Sequence, residues 1–186
     1  SKQINILNRW QYTDPSKGWV GFASLRFLDD SKQTGSMSFD PKIHKNTTSF
    51  WGSEIETKRL DASVKIGYVF PETTYKSFGF QSAYSNHDQD SYFGLRRYEI
   101  EHKSFFTNLL FNSIISNTKN KFKTGINFSF DEYNEQVDLI DYQRRDEVVG
   151  AFFEYSYDSL DKLSLTAGIR IDSHNRLGTF ITPRLH

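Results

Sequence analysis

The chain contains no cysteine, which excludes disulfide scaffolds and thiolate metal centres and leaves the redox state of its compartment unmarked. Charge of one sign is also lacking. The 23 basic and 23 acidic residues cancel, so no bulk attraction draws the protein to nucleic acid. No apolar run approaches the roughly 20 residues that a membrane helix requires, which excludes α-helical spanning. GxSxG, HExxH, GxGxxG and the phosphate-loop pattern are all absent, so no enzymatic activity is expected. His44, His87, His102, His174 and His186 stand apart, with no pair at metal-ligand spacing. The amino terminus, Ser1-Lys2-Gln3-Ile4, shows no apolar segment followed by a small-residue cleavage site. A removed signal or an excerpt of a longer polypeptide is the expectation.

What is present is alternation. Phe122, Thr124, Ile126, Phe128 and Phe130 interleave with Lys121, Lys123, Gly125, Asn127 and Ser129, and Leu163, Leu165, Ala167, Ile169 and Ile171 interleave with Ser164, Thr166, Gly168, Arg170 and Asp172. Side chains on a strand point alternately to opposite faces, so each segment is a β-strand with one apolar and one polar face. Aromatic residues reach 16%, with 10 Tyr and 17 Phe, while mean hydropathy stays at −0.62. A protein with two differently solvated faces combines these properties.

About nine strands are predicted: about 3–12, 18–28, one centred on Leu60 to Phe70, 75–84, 93–115, 121–133, one carrying Val149 to Tyr157, 162–172, and a ninth starting at Phe180. The odd-numbered connections are tight turns such as Thr13–Lys17, Pro71–Thr74, Asn117–Asn120 and Asp158–Asp161. The even-numbered ones read as longer polar loops: 29–53, 85–90, the charged stretch 134–146, and 173–179. Trimmed turns at one end, elaborated loops at the other and aromatic residues near strand ends describe an all-β, antiparallel transmembrane β-barrel. A soluble sandwich or lipocalin-like barrel also alternates. Against it, the polar parity is rich in Gly, Ser, Thr, Lys and Asn, a composition suited to a wet lumen. A barrel in hydrocarbon must close, and nine strands leave the first and last running in the same direction. A section of a larger barrel is therefore expected rather than a small complete structural barrel or adhesin.

The stretches INILNRWQYTDPSKGW (Ile4 to Trp19), FGFQSAYSNHDQDSYFGL (Phe78 to Leu95), NKFKTGINFSFDEYNE (Asn120 to Glu135) and GIRIDSHNRLGTFITPRLH (Gly168 to His186) resemble mid-barrel segments of TonB-dependent outer-membrane receptors. The resemblance spans the whole chain. It implies a 22-stranded barrel in the outer membrane of a Gram-negative bacterium, plugged by an amino-terminal domain. Such a receptor takes up a scarce ligand and is driven by the TonB complex, with the cobalamin and ferric siderophore subclasses favoured. Residues 1–186 would be barrel wall, with plug, TonB-contact segment and carboxy-terminal aromatic strand end missing. The implied partners are the lipid bilayer, lipopolysaccharide, the TonB complex through the missing plug, a small-molecule ligand and, in some members, a surface lipoprotein.

Ligand contact is expected in the outer loops and upper lumen. Arg96 and Arg97, and Arg144 and Arg145, offer bidentate donors for carboxylate or phosphate, or pair with Glu99, Glu101 or Asp146. Trp51, Tyr92 and Tyr98 offer planar faces for a ligand or for an interfacial girdle. Asp88 and Asp90, with Asn86 nearby, supply oxygens for a structural calcium but fall short of the six to eight that this ion takes. No other cofactor is expected. An outer-membrane hydrolase is a further alternative, with His102 and Ser104 its only near pair.

Overall fold

The computed structural model describes residues 1–159 and 163–186. Strands β1 (Lys2–Asp14), β2 (Trp19–Gly35), β3 (Gly52–Val69), β4 (Ser77–Phe93), β5 (Arg96–Ile115), β6 (Asn117–Val137), β7 (Ile140–Asp158), β8 (Ser164–His174) and β9 (Gly178–Leu185) form one antiparallel sheet in sequence order. A short helix, α1 (Pro41–His44), lies between β2 and β3. The nine expected strands are all there. Leu160, Asp161 and Lys162, assigned by sequence to a turn and the start of strand eight, lie outside the described residues.

The strands run further than alternation alone indicates. The expected polar loop 85–90 is the outer part of β4, which continues to Phe93 and turns at Gly94-Leu95 into β5. The charged stretch 134–146 is likewise paired, Asn134 opposite Gln143 and Glu132 opposite Arg145, with the chain reversing at Asp138-Leu139. Of the expected excursion 29–53 only 36–51 lies outside strands, and 173–179 shrinks to the turn Asn175-Arg176-Leu177. The first residue of each two-residue reversal takes positive φ, 63° at Gly94 and 56° at Asp138. Asp138 is fixed there by Arg97, whose backbone N–H donates to its carboxylate at 2.8 Å. Beyond an apolar environment both faces of a strand are wet, so polar residues fill both parities while the backbone ladder continues.

Register assigns each residue to a face, because directly opposed residues point the same way. Trp10, Leu25, Val64, Phe80, Leu109, Ile126, Phe153 and Ile169 share one face. The opposite face carries Arg9, Ser24, Lys65, Gln81, Asn108, Lys123 and Arg170. Along one end of the apolar face runs a chain of rings: Trp19 to Tyr68 at 4.6 Å, Tyr68 to Phe70 at 4.9 Å, Phe70 to Phe78 at 5.9 Å and Phe78 to Phe111 at 4.7 Å. It continues through Phe122 at 5.8 Å to Phe153 at 5.9 Å, so one aromatic belt crosses six strands. Along β3 and the residue after it the apolar face reaches from Leu60 to Phe70, ten steps of about 3.4 Å. At the usual tilt this is about 25 Å, the height of the apolar band on an outer-membrane barrel.

This face is uncovered. Ile126 and Val149 are each 58% exposed, and Tyr92 is the one buried hydrophobic residue among those described. A soluble sandwich would bury such a face against a second sheet. The opposite face is held by polar contacts instead: Ser24 to Ser63 at 2.8 Å, Arg26 to Asn5 at 3.2 Å, and Arg170 to Asp172 at 2.6 Å and to Asn127 at 2.9 Å.

Candidate functional site

Just beyond the apolar band, register lines up planar side chains from five neighbouring strands on the polar face. Arg59 opposes His87, His87 opposes His102, His102 opposes Tyr133, and Tyr133 opposes Arg144. The imidazole of His102 stacks on Tyr133 with centroids 4.0 Å apart and planes 6° apart. The Arg144 guanidinium lies 4.2 Å from the Tyr133 ring centre, a cation–π contact. Two residues along each strand stands a second row: Asp61, Ser85, Ser104, Asp131 and Asp146. Asp61 accepts from Arg59 Nε at 2.9 Å and from Ser85 Oγ at 2.7 Å, Asp131 lies 3.0 Å from His102 Nε2, and Asp146 meets Arg144 Nε at 3.0 Å. The acids orient the row above them. Burial, then the nearby Arg59 and His102, hold the His87 imidazole below its ordinary value of 6.5, and its Nδ1 is buried without a partner.

Beside Arg144 a groove of about 570 Å³ is lined by Tyr133, Tyr142, Arg144 and Arg176 among others. Arg176 reaches Asp146 at 3.2 Å from the β8–β9 turn. At the edge of this region Tyr98 donates to Glu135 at 3.4 Å, and burial, then the Glu135 charge, raise its phenol above the usual value.

The paired arginines do not act together. Adjacent strand residues face opposite ways, so Arg144 joins the polar-face row while Arg145 crosses to the other face, where its guanidinium lies 5.1 Å from the Phe130 ring centre and its Nε meets Glu147 at 2.7 Å. Arg97 likewise pairs with Glu99 and, at 3.6 Å, with Asp90 on the apolar-side face, whereas Arg96 points to the polar face. A single anion cannot bridge either pair.

Tyr92 is 4% exposed and lies on the apolar-side face under the 36–51 loop, with Lys45 Nζ 4.7 Å from its ring centre. Burial, then Glu54, raise its phenol above the ordinary value. Trp51 stays 57% exposed at the loop's end, with its indole over Gly94 and its carbonyl accepting from Ser36 N–H at 3.0 Å. Asp88 and Asp90 share the apolar-side face with Glu99 and Glu101, lining a groove of about 450 Å³ beyond the band. Among the described residues no three His, Cys, Asp or Glu side chains converge as a metal site. No hydrogen bond joins Ser104 to His102 among the described residues, and the His102 Nε2 is already engaged by Asp131. Arg59, His87, Tyr133 and Arg176 are the residues that sequence reasoning missed. Their positions in the chain are unrelated, and only the register of the hairpins gathers them.

No protein-family model matches the sequence, and no curated protein is similar to it. Several solved structures share the fold, three of them outer-membrane receptors or transporters. The alcaligin outer-membrane receptor FauA of Bordetella pertussis matches with a TM-score of 0.73 at 10% identity, over 99% of this chain and 30% of that one. The siderophore receptor PirA of Pseudomonas aeruginosa gives 0.62 at 12% identity, over 98% and 35%. The ferric citrate transporter FecA in its unliganded form gives 0.59 at 12% identity, over 97% and 32%. The class is thereby defined as an all-β antiparallel sheet of the kind found in outer-membrane receptors. This chain spans about a third of the length of the structures it matches. All three are receptors or transporters, none an enzyme.

Proposed function

We propose that the chain is a section of the wall of a TonB-dependent receptor in the outer membrane of a Gram-negative bacterium, and that the receptor takes up a ferric siderophore or similar iron chelate. The observation that carries this reading is a sheet shared with three iron-chelate receptors and transporters over nearly its whole length, with an aromatic belt and an uncovered apolar band on one face. In this reading the apolar face meets lipid and the polar face lines the lumen. The unpaired edges of β1 and β9 take further strands, up to the 22 of the family, and a plug domain fills the lumen and contacts TonB. Ligand lands on the polar face in the groove beside Arg144, and the 36–51 loop, folded over the other side of the same rim, is a further candidate contact. Charged residues beyond the band on the outer face, Arg97 and Arg145 among them, meet lipopolysaccharide. A surface lipoprotein over the loops and a calcium ion at Asp88 and Asp90 are further parts of the proposal. Calcium titration that leaves loop proteolysis unchanged would remove the ion.

The test is growth of an iron-starved strain lacking the whole polypeptide, on a panel of ferric siderophores and ferric citrate as sole iron source, with cobalamin-limited growth as a comparison. Loss of growth on one iron chelate, restored only in cells with TonB, supports the proposal. Unimpaired growth on every chelate together with failure on limiting cobalamin would move the reading to cobalamin. Unimpaired growth throughout would overturn it.

A further inference from the structure

We propose that the row Arg59, His87, His102, Tyr133 and Arg144 is a proton-dependent anion site, taking a rigid multivalent anion with carboxylate, phosphate or sulfonate groups and binding it more tightly as pH falls. The inference rests on the receptor reading only in taking this face as water-filled. Its basis is the register, which lays these five side chains side by side across β3 to β7.

At each end of the row a guanidinium has its Nε committed to an aspartate, Asp61 or Asp146, so its orientation is fixed while its Nη edge keeps donors for an anion. Tyr133 holds the plane of Arg144 from one side and that of His102 from the other strand. Between the guanidiniums sit two opposed imidazoles. Strand spacing of about 4.8 Å puts Arg59 and His102 about 10 Å apart, a span that small rigid dianions match.

The groups facing His87 are Arg59 and Asp61 from β3, His102 from β5 backed by Asp131 and Tyr133 from β6, and Asp88 on its own strand. Burial and the Arg59 charge disfavour a second cation there, so His87 is neutral at neutral pH. Its buried Nδ1 lacks a partner. An anion across the row supplies the missing countercharge, and protonation of His87 then adds a donor to it. By linkage the two events favour each other: the anion raises the imidazole's titration midpoint, and acid raises the anion's affinity. The arginines remain charged throughout and set the affinity that survives at alkaline pH.

Naphthalenedisulfonate, whose charge is constant across the histidine range, serves as the probe, with the full-length polypeptide in detergent micelles at about pH 5 and about pH 8. Affinity about tenfold higher at the lower pH is expected from linkage to one proton. The double replacement H87Q/H102Q should remove that ratio, whereas Arg59→Gln should weaken the alkaline binding that the guanidiniums set. Equal affinity at both pH values, no binding, or a pH ratio that survives the double replacement overturns the site. Imidazole NMR of the labelled wild-type protein reads the same linkage without any variant, and a His87 midpoint unmoved by the probe also overturns it. Membrane insertion is scored on the same polypeptide in cells. A chain that stays out of the outer membrane sinks the receptor reading, while one that inserts yet binds without pH dependence sinks only this site.

Discussion

Ile126→Arg separates a lipid-facing sheet from other uses of an alternating strand. Ile126 lies on the apolar face between Leu109 and Ala151 on the flanking strands, 58% exposed, with Phe122 and Phe130 four residues away on either side. Four residues at about 3.4 Å, tilted by about 45°, place each ring about 10 Å from it along the membrane normal. Ile126 thus stands near the middle of the band, where an arginine on a barrel's lipid face costs about 2 to 4 kcal/mol. Ser129→Arg is the control. Ser129 faces the other way, opposite Phe106 and Val148 and two residues from Asp131, so a guanidinium there reaches water and a carboxylate. Its cost should stay under about 1 kcal/mol. Equilibrium unfolding of the full polypeptide in lipid vesicles, followed by tryptophan fluorescence, measures both. Equal costs, or a cost at Ile126 below about 1 kcal/mol, would refute the assignment of this face to lipid.

Native tryptophans report the same geometry: in single-tryptophan variants, brominated acyl chains should quench Trp10 and Trp19 on the apolar face, while Trp51 in the 36–51 loop stays bright. Gly150→Ala should destabilise by about 1 to 3 kcal/mol by unfolding titration, because its Cβ would stand 2.3 Å from Asp172 Oδ1 and 2.5 Å from Asn127 Oδ1 in a filled polar knot. Gly79→Ala, whose Cβ would meet Leu110 at an ordinary 3.7 Å, should be neutral by comparison. Phe39→Ala should raise the rate of limited proteolysis within residues 36–51 and leave the sheet's melting unchanged, since Phe39 fills the hollow over Gly35 and Gly52 that pins the loop. Replacing 37–50 by a short turn should weaken chelate binding in a binding assay without impairing assembly; unchanged affinity would remove the loop from the ligand site.

The two-residue rhythm was legible wherever one face is apolar and the other polar, as in Phe122 to Phe130, because the contrast between faces writes a period into the residue types. It was not legible in Asn134 to Asp146 or Ser85 to Asp90, where both faces are solvated and hydrogen bonding alone carries the strand. Which face each arginine of a pair takes was not legible either, because the pleat sends Arg144 and Arg145 to opposite faces and only the register says which face is which.

By itself the sequence determined the fold class, the number of strands and which side of each is apolar, since all three follow from local alternation. Only the tertiary structure decided which residues meet. His87 and His102, or Tyr133 and Arg144, become neighbours through turn geometry at Gly94-Leu95 and Asp138-Leu139, and a slip of one residue at either turn would send each partner to the other face.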